Sequence, residues 1–221
     1  MSVVAGYLHP GTVSGEFCRS LVNVVANGSI AAQIALPSGP NLSAPRNQMV
    51  RIFLGKSFDW LWIVDADMTF EPDIVDRLLE SADRAERPIV GALCFSQRFK
   101  NGQQKFFPTM FVTNGEDTWR MDRYPPDQLC KVDATGTGCP LVHRSVFEQM
   151  VEVFPEPFPW FQEMVVDGRH IGEDVTFCNR ARDCGFSVHV HTGIKTGHVK
   201  SRIIDESVYW EAEYGEVKSK D

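Results

Sequence analysis

Over the first hundred residues the apolar positions switch between a strand period and a helix period. Ser2 to Leu8 reads as a short strand that ends in the turn His9-Pro10-Gly11. Ser14 is placed to cap a helix whose Phe17, Leu21, Val24 and Val25 share a face, and Gly28 to stop it. Ile30 to Leu36 is a second apolar run, closed by Pro37-Ser38-Gly39-Pro40. A helix capped by Ser43 follows, running through Met49, Ile52 and Phe53. Trp60 to Val64 is apolar on both faces, which suits a central strand covered by helices on both sides. Pro72 fits the first turn of another helix with Ile74, Leu78 and Ala82 aligned, and Pro88 to Phe95 is strand again.

This βαβαβαβ rhythm predicts a mainly parallel, doubly wound sheet. After residue 100 the pattern loosens. Phe106–Val112 and Leu129–Thr135 read as strands around a polar Trp119–Asp127 stretch, and a short helix spans Ser145 to Val153. A loop rich in aromatics and proline, Phe154 to Phe161, separates it from a last helix that begins near Glu173 and stops at Gly185. No linker or repeat divides the 221 residues, so a single domain is expected, residues 1–221, with a nucleotide-binding first half (1–100) and a more variable second half (101–221).

Charge narrows the partners. Net charge is −7, and the whole excess lies in the second half: residues 1–110 hold 10 basic and 10 acidic side chains, residues 111–221 hold 12 and 19. Attraction to bulk nucleic-acid phosphate needs the opposite balance, so no nucleic acid is expected. No apolar run approaches the roughly 20 residues of a membrane span. The N-terminus lacks a basic, then apolar, export signal, so the expected compartment is the cytoplasm. Six cysteines without a C-x-x-C pair are expected as reduced thiols, some of them buried, and the sequons at Asn27 and Asn41 as chance matches.

Three clusters carry chemistry. Asp65-Ala66-Asp67 ends the most apolar strand, and i, i+2 spacing sends both carboxylates to one side if the strand stays regular. At the C-terminal edge of a doubly wound sheet such a pair suits Mg²⁺ or Mn²⁺; otherwise it is solvated or caps the next helix. Glu173-Asp174 opens the last helix, where acidic residues commonly complement the helix dipole and where one can also serve as a general base. His198, in Thr192 to Lys200, offers an imidazole that is either a metal ligand or an ordinary hydrogen-bonded histidine; Lys195, Lys200 and Arg202 beside it can balance phosphate. His189 and His191 alternate with valines and read as sheet residues.

In this order the three clusters resemble the GT-A superfamily of nucleotide-sugar glycosyltransferases, particularly family 2-like and short phage-type members. Ala44-Pro45-Arg46-Asn47 adds a fourth point of similarity, and the resemblance spans roughly residues 3–205. It implies an α/β GT-A (Rossmann-like) fold, a mainly parallel mixed sheet flanked by helices. It also implies a metal-dependent transfer of a sugar from a nucleoside-diphosphate donor to an acceptor hydroxyl, with inversion, in a host's cytoplasm for a phage-encoded chain.

By the same resemblance Tyr7, His9 and Pro10 lie by the nucleoside, and Arg46 reaches the ribose–diphosphate region. Asp65, Ala66 and Lys200 contact the donor, and Asp65, Asp67 and His198 hold Mn²⁺ or Mg²⁺. Gly136 and Gly138 let the sugar approach the backbone. Asp174 is the base, with Glu173 positioning nearby groups. Trp160 and Phe161, with Phe158, either stack on an acceptor, close over the donor or pack in the core beneath their loop; Trp119 and Trp210 are assigned structural roles. The acceptor is a hydroxyl on a protein, a glycan or a small molecule.

Two departures shape this reading. The resemblance favours a UDP-sugar, but many family 2 members read uracil with an acidic residue after the second strand and Leu36 to Asn41 holds none, so a GDP-sugar stays open; no Gln-x-x-Arg-Trp is present, which disfavours a processive synthase. A sugar nucleotidyltransferase is the alternative chemistry, but His9 to Gly15 lacks the basic residue of its phosphate loop. A non-catalytic nucleotide-sugar-binding module of the same fold is the other alternative.

Overall fold

The computed structural model describes residues 1–100, 103–114 and 117–200. Strand β1 (Val3–His9) leads into α1 (Gly15–Asn27), whose N–H of Phe17 donates to Ser14 Oγ and whose exit is a left-handed Gly28. Next come β2 (Ala32–Pro37), α2 (Ser43–Leu54), β3 (Trp60–Ile63), β4 (Met68–Thr69), α3 (Ile74–Ser81) and β5 (Ile89–Leu93). Ser43 is the first helical residue of α2 rather than its cap: its N–H is taken by Asn41 Oδ1 at 2.9 Å, so the asparagine two residues earlier does that work.

The second half is richer in strands than its sequence suggests. It holds β6 (Phe95–Lys100), β7 (Gln103–Pro108), β8 (Met110–Asn114), β9 (Asp117–Arg120), β10 (Leu129–Val132), β11 (Ala134–Thr135) and β12 (Pro140–His143). After these come α4 (Arg144–Val153), β13 (Met164–Val166), β14 (Arg169–Ile171), α5 (Glu173–Asp183), β15 (Val188–Lys195) and β16 (Gly197–His198). The run Phe106–Val112 is two strands, because Pro108 lacks a donor and Thr109 turns its own N–H to Cys94 O. Leu129–Thr135 is also two strands. At Asp133 the chain leaves β15 and joins β8, its N–H on Phe111 O and its carboxylate on the N–H of Thr113.

Seven strands form the main sheet in the order β10-β15-β5-β12-β3-β1-β2. Strands β1, β2, β3, β5 and β15 run one way; β10 and the inserted β12 run the other. Period-two alternation sends Val3, Ala5, Trp60 and Trp62 to the face covered by α1 and α3. Val4, Leu61, Ile63 and Ile89 go to the face covered by α2, α4 and α5. His189 and His191 lie on β15, opposite Lys131 and Leu129.

Two aromatic expectations are corrected. Trp119 is 59 % exposed, because β9 is the outer strand of the small β11-β8-β9 sheet, while Trp210 lies outside the described residues. Trp160 and Phe161 offer no face to an acceptor. Trp160 is 2 % exposed and donates its indole N–H to Phe147 O at 2.8 Å, and Phe161 is fully buried and stacked on Phe177 at 4.7 Å. Phe158 is half-buried and accepts from Arg180 through its carbonyl.

Asn47, fully buried on α2, fastens that aromatic loop. Its amide donates to Phe161 O and Ser43 O, both at 2.7 Å, and its Oδ1 accepts from Trp160 N at 3.2 Å. Truncation would orphan buried backbone groups, so Asn47→Ala is expected to lower unfolding free energy by about 2–4 kcal/mol in guanidinium titration, with the far-ultraviolet spectrum of the folded state unchanged.

Candidate functional site

The C-terminal ends of β1, β3, β5 and β15 all open on one edge of the sheet, the position where open α/β sheets bind ligands. The chain leaving β3 delivers Asp65 and Asp67. The N–H of Asp65 donates to Gly138 O at 3.2 Å, which ties the aspartate loop to the segment entering β12. Beyond that loop β4 pairs with β16 in the register Met68↔His198, and Val199 N donates to Asp67 O at 2.7 Å. This short ladder brings the imidazole to the carboxylate: His198 Nε2 lies 2.9 Å from Asp67 Oδ2 across 131 residues of chain. Lys200 Nζ lies 2.7 Å from the same oxygen. Lys195, by contrast, is turned to Asp127 at 3.4 Å, and Arg202 lies outside the described residues.

The two aspartates part company. Asp65 Oδ1 is held by Arg46 Nη2 at 3.0 Å, and the other end of that guanidinium binds Glu173. Arg46 is 2 % exposed, walled by Phe161, so it comes to the site as a buried clamp with both ends engaged rather than as a free arm. Among the described residues no group of three His, Cys, Asp or Glu side chains forms a cation cage. Asp67 and His198 form a pair, and Asp65 faces the clamp. Ala66 between them is half-buried against the α1–α3 core.

Charge separates the carboxyl groups. Hydrogen bonds and charge from His198 and Lys200 outweigh burial at Asp67 and hold its pKa at about 2. Burial pushes Asp65 above its ordinary value, with Arg46 pulling against it and Asp67 adding to the rise. Asp174 is also raised, first by burial and then by Glu173 beside it; the N–H of Val175, at 2.7 Å from Oδ1, opposes this only in part. Gly172 makes room for that carboxylate, since a Cβ there would stand 2.7 Å from Asp174 Oδ1.

At the other end of the edge, Tyr7 is half-buried, packed edge-on against Phe17 at 5.3 Å, with its hydroxyl 3.3 Å from Gln33 Oε1. His9 accepts the N–H of Gly11 on Nδ1 at 3.2 Å, and Pro10 is exposed. A Cβ on Gly136 would stand 3.1 Å from Thr109 and one on Gly138 3.3 Å from Cys94 Sγ, so close packing also asks for small residues there. Two features escaped sequence reading. The Phe95 carbonyl, which holds His198 Nδ1 at 2.7 Å, leaves no side-chain signal; Gly172 does, as the small residue directly before an acidic pair.

Among solved structures the chain resembles A197 from STIV, with 16 % identity, TM-score 0.59, and 91 % of this chain and 87 % of that one aligned. It also resembles GalNAc-T7, solved with UDP, GalNAc and Mn2+: 11 % identity, TM-score 0.56, 90 % of this chain and 44 % of that one. The fold is GT-A. The chain spans less than half of the GalNAc-T7 chain. No family model and no curated protein matches the sequence.

Asp67 and His198 on this GT-A edge suit a divalent cation. A carbonyl only accepts, so the Phe95 contact places a proton on His198 Nδ1 and leaves Nε2 facing Asp67 as a donor atom. Two ligands at right angles, each about 2.1 Å from an octahedral ion, stand about 3 Å apart. The observed 2.9 Å meets that separation. Without a cation the facing pair calls for a second proton on the ring, and contact with Asp67 raises the His198 pKa accordingly.

Two outcomes are expected. The His198 ring, followed by NMR in metal-free protein, titrates above 6.5 and moves back toward the ordinary range in Asp67→Asn. Its stabilising contribution is complete below 6.5 and disappears as pH rises through the raised value. Asp174 follows the same direction from a lower starting pH. The folded state holds that proton more tightly than the unfolded chain, so stability is lost as pH rises from the ordinary aspartate range through the raised pKa. One pH unit of displacement corresponds to about 1.4 kcal/mol. Asp174→Asn is therefore expected to raise the melting temperature at pH 7 by a few degrees in calorimetry.

Proposed function

We propose that the protein is a glycosyltransferase that moves a sugar from a nucleoside-diphosphate donor to an acceptor hydroxyl, with Asp67 and His198 holding Mn²⁺ or Mg²⁺. The observation that supports this most is the meeting of those two side chains, 131 residues apart, at the strand-end edge of a GT-A sheet. GalNAc-T7, a solved structure of similar fold, contains UDP, GalNAc and Mn2+, which agrees with a nucleotide-sugar donor and a divalent ion. Tyr7, His9 and Pro10, at the mouth of β1, are assigned to the nucleoside, and the Gly136–Gly138 segment to the sugar. A UDP-sugar is favoured. The cation, when bound, neutralises charge that builds on the departing diphosphate.

The chain's own groups divide the remaining work. Asp174, with its pKa raised by burial and by Glu173, is suited to accept the proton of the attacking hydroxyl, because a general base works best when its pKa approaches the working pH. Its Oδ1 is steadied by the N–H of Val175, and the space over Gly172 keeps it folded toward the helix terminus. Glu173 does not contact the acceptor in this scheme; it holds one end of Arg46, whose other end holds Asp65, so donor-side and base-side carboxylates keep a set spacing. Attack from the face opposite the diphosphate inverts the anomeric carbon.

In a thermal-shift panel of UDP-, GDP- and dTDP-sugars with and without Mn²⁺, one nucleotide is expected to raise the melting temperature, and only with the metal present. With that donor, Asp174→Asn is expected to cut transfer by about 10²–10⁴-fold and leave donor binding nearly unchanged. Near-normal turnover in Asp174→Asn would remove the base assignment, and retention in the product's anomeric NMR would remove inversion.

A further inference from the structure

Asp67 Oδ2 is met by two nitrogen groups at once, the His198 ring at 2.9 Å and the Lys200 ammonium at 2.7 Å. Only the first of these is a possible metal ligand, since an ammonium has donors and no acceptor. We infer that Lys200 is a resident counter-ion for the metal site: it occupies Asp67 while the divalent cation is absent, and it passes to the donor's diphosphate when the cation enters. This rests on the reading of Asp67 and His198 as metal ligands.

Three features support the exchange. Nζ and an incoming ion would compete for lone pairs of one oxygen, and two positive charges within a few ångströms of each other repel. The lysine side chain is 38 % exposed on a flexible stem, and among the described residues Asp67 is the carboxylate its Nζ pairs with. Two other acidic groups of the edge, Asp65 and Glu173, are already held by Arg46. A displaced ammonium next to the metal site therefore has the diphosphate of the bound donor as its nearest new anion. The consequence is coupling. Metal binding alone must displace Lys200, whereas metal with nucleoside diphosphate gives it a new partner, so each should tighten the other, and by linkage to the same degree.

The test measures Mn²⁺ affinity directly, from the free-ion electron paramagnetic resonance signal, with and without UDP or GDP. The proteins compared are wild type, Lys200→Met, Lys200→Gln and Asp67→Asn, each matched to wild type by thermal melting in buffer. Both lysine variants are expected to bind Mn²⁺ alone at least about threefold more tightly, the scale of a half-exposed ion pair. In both, the gain in Mn²⁺ affinity produced by the nucleotide should shrink. If the lysine variants bind Mn²⁺ no more tightly than wild type while Asp67→Asn loses it, the exchange is overturned and the metal reading stands. If Asp67→Asn binds Mn²⁺ as wild type does, or none of the proteins binds it, the metal reading falls and the exchange falls with it.

Discussion

A buried guanidinium cannot stand unpaired, and Arg46 is placed where that requirement joins the two halves of the molecule. It rises from α2 with almost no exposure, so desolvation would be prohibitive without close anions, and it finds one on each side of the sheet edge. Asp65 comes from the end of β3 in the first half; Glu173 comes from the start of α5 in the second. Neighbouring Asn47 fixes the aromatic loop that walls the guanidinium, so the clamp is held by hydrogen bonds on one flank and by the Phe161 ring on the other. Breaking such a pair by removing one partner typically costs about 3–5 kcal/mol, because the remaining charge stays buried.

With that spacing set, the carboxyl groups of one small region take different protonation behaviour from their partners. Asp67 has the His198 ring and the Lys200 ammonium on one oxygen, and its pKa is held at about 2. Asp174 is raised by burial first and by Glu173 beside it next, with the Val175 N–H and Arg46 opposing in part. Groups pushed apart in this way are what a site needs if one carboxylate is to stay a permanent anion while another gains and loses a proton. The cost is local: a raised carboxylate is a destabilised carboxylate at neutral pH, and the edge of the sheet carries it because the hydrophobic layers on both faces are extensive.

Much of the first half could be read from the chain because its elements are local. Ser14 and Gly28 bracket α1 as capping chemistry requires, and Trp60 to Ile63 is buried on both faces as an unbroken apolar run should be. The second half resisted for reasons that are equally physical. Strand β12 is four residues long, opens with proline and runs antiparallel between β3 and β5; no periodicity inside Pro140–His143 announces an insertion between two distant strands. Pro108 and Asp133 break their runs through partners elsewhere in the fold. The β13–β14 hairpin did leave a signal, Asp167-Gly168 with both residues at positive φ, the dipeptide that a tight type I′ turn favours. Trp160 and Phe161 show the converse: a proline-rich setting suggests a surface loop, and only the contact with Asn47 and Phe177 puts the rings inside.

By itself the sequence determined the alternating layers, the aspartate pair at a strand end, the acidic pair at a helix start and the residue types able to bind a cation. Those are short-range properties, set by side-chain period, capping and donor chemistry within a few residues. Tertiary structure decided which of them meet. Asp67 contacts His198 because β4 pairs with β16; Asp65 turns away to Arg46 because that guanidinium is buried and needs it; Lys200 reaches the oxygen that a metal would use. Convergence across 131 residues depends on strand order and register, and those are chosen by how the whole set of apolar faces is buried together.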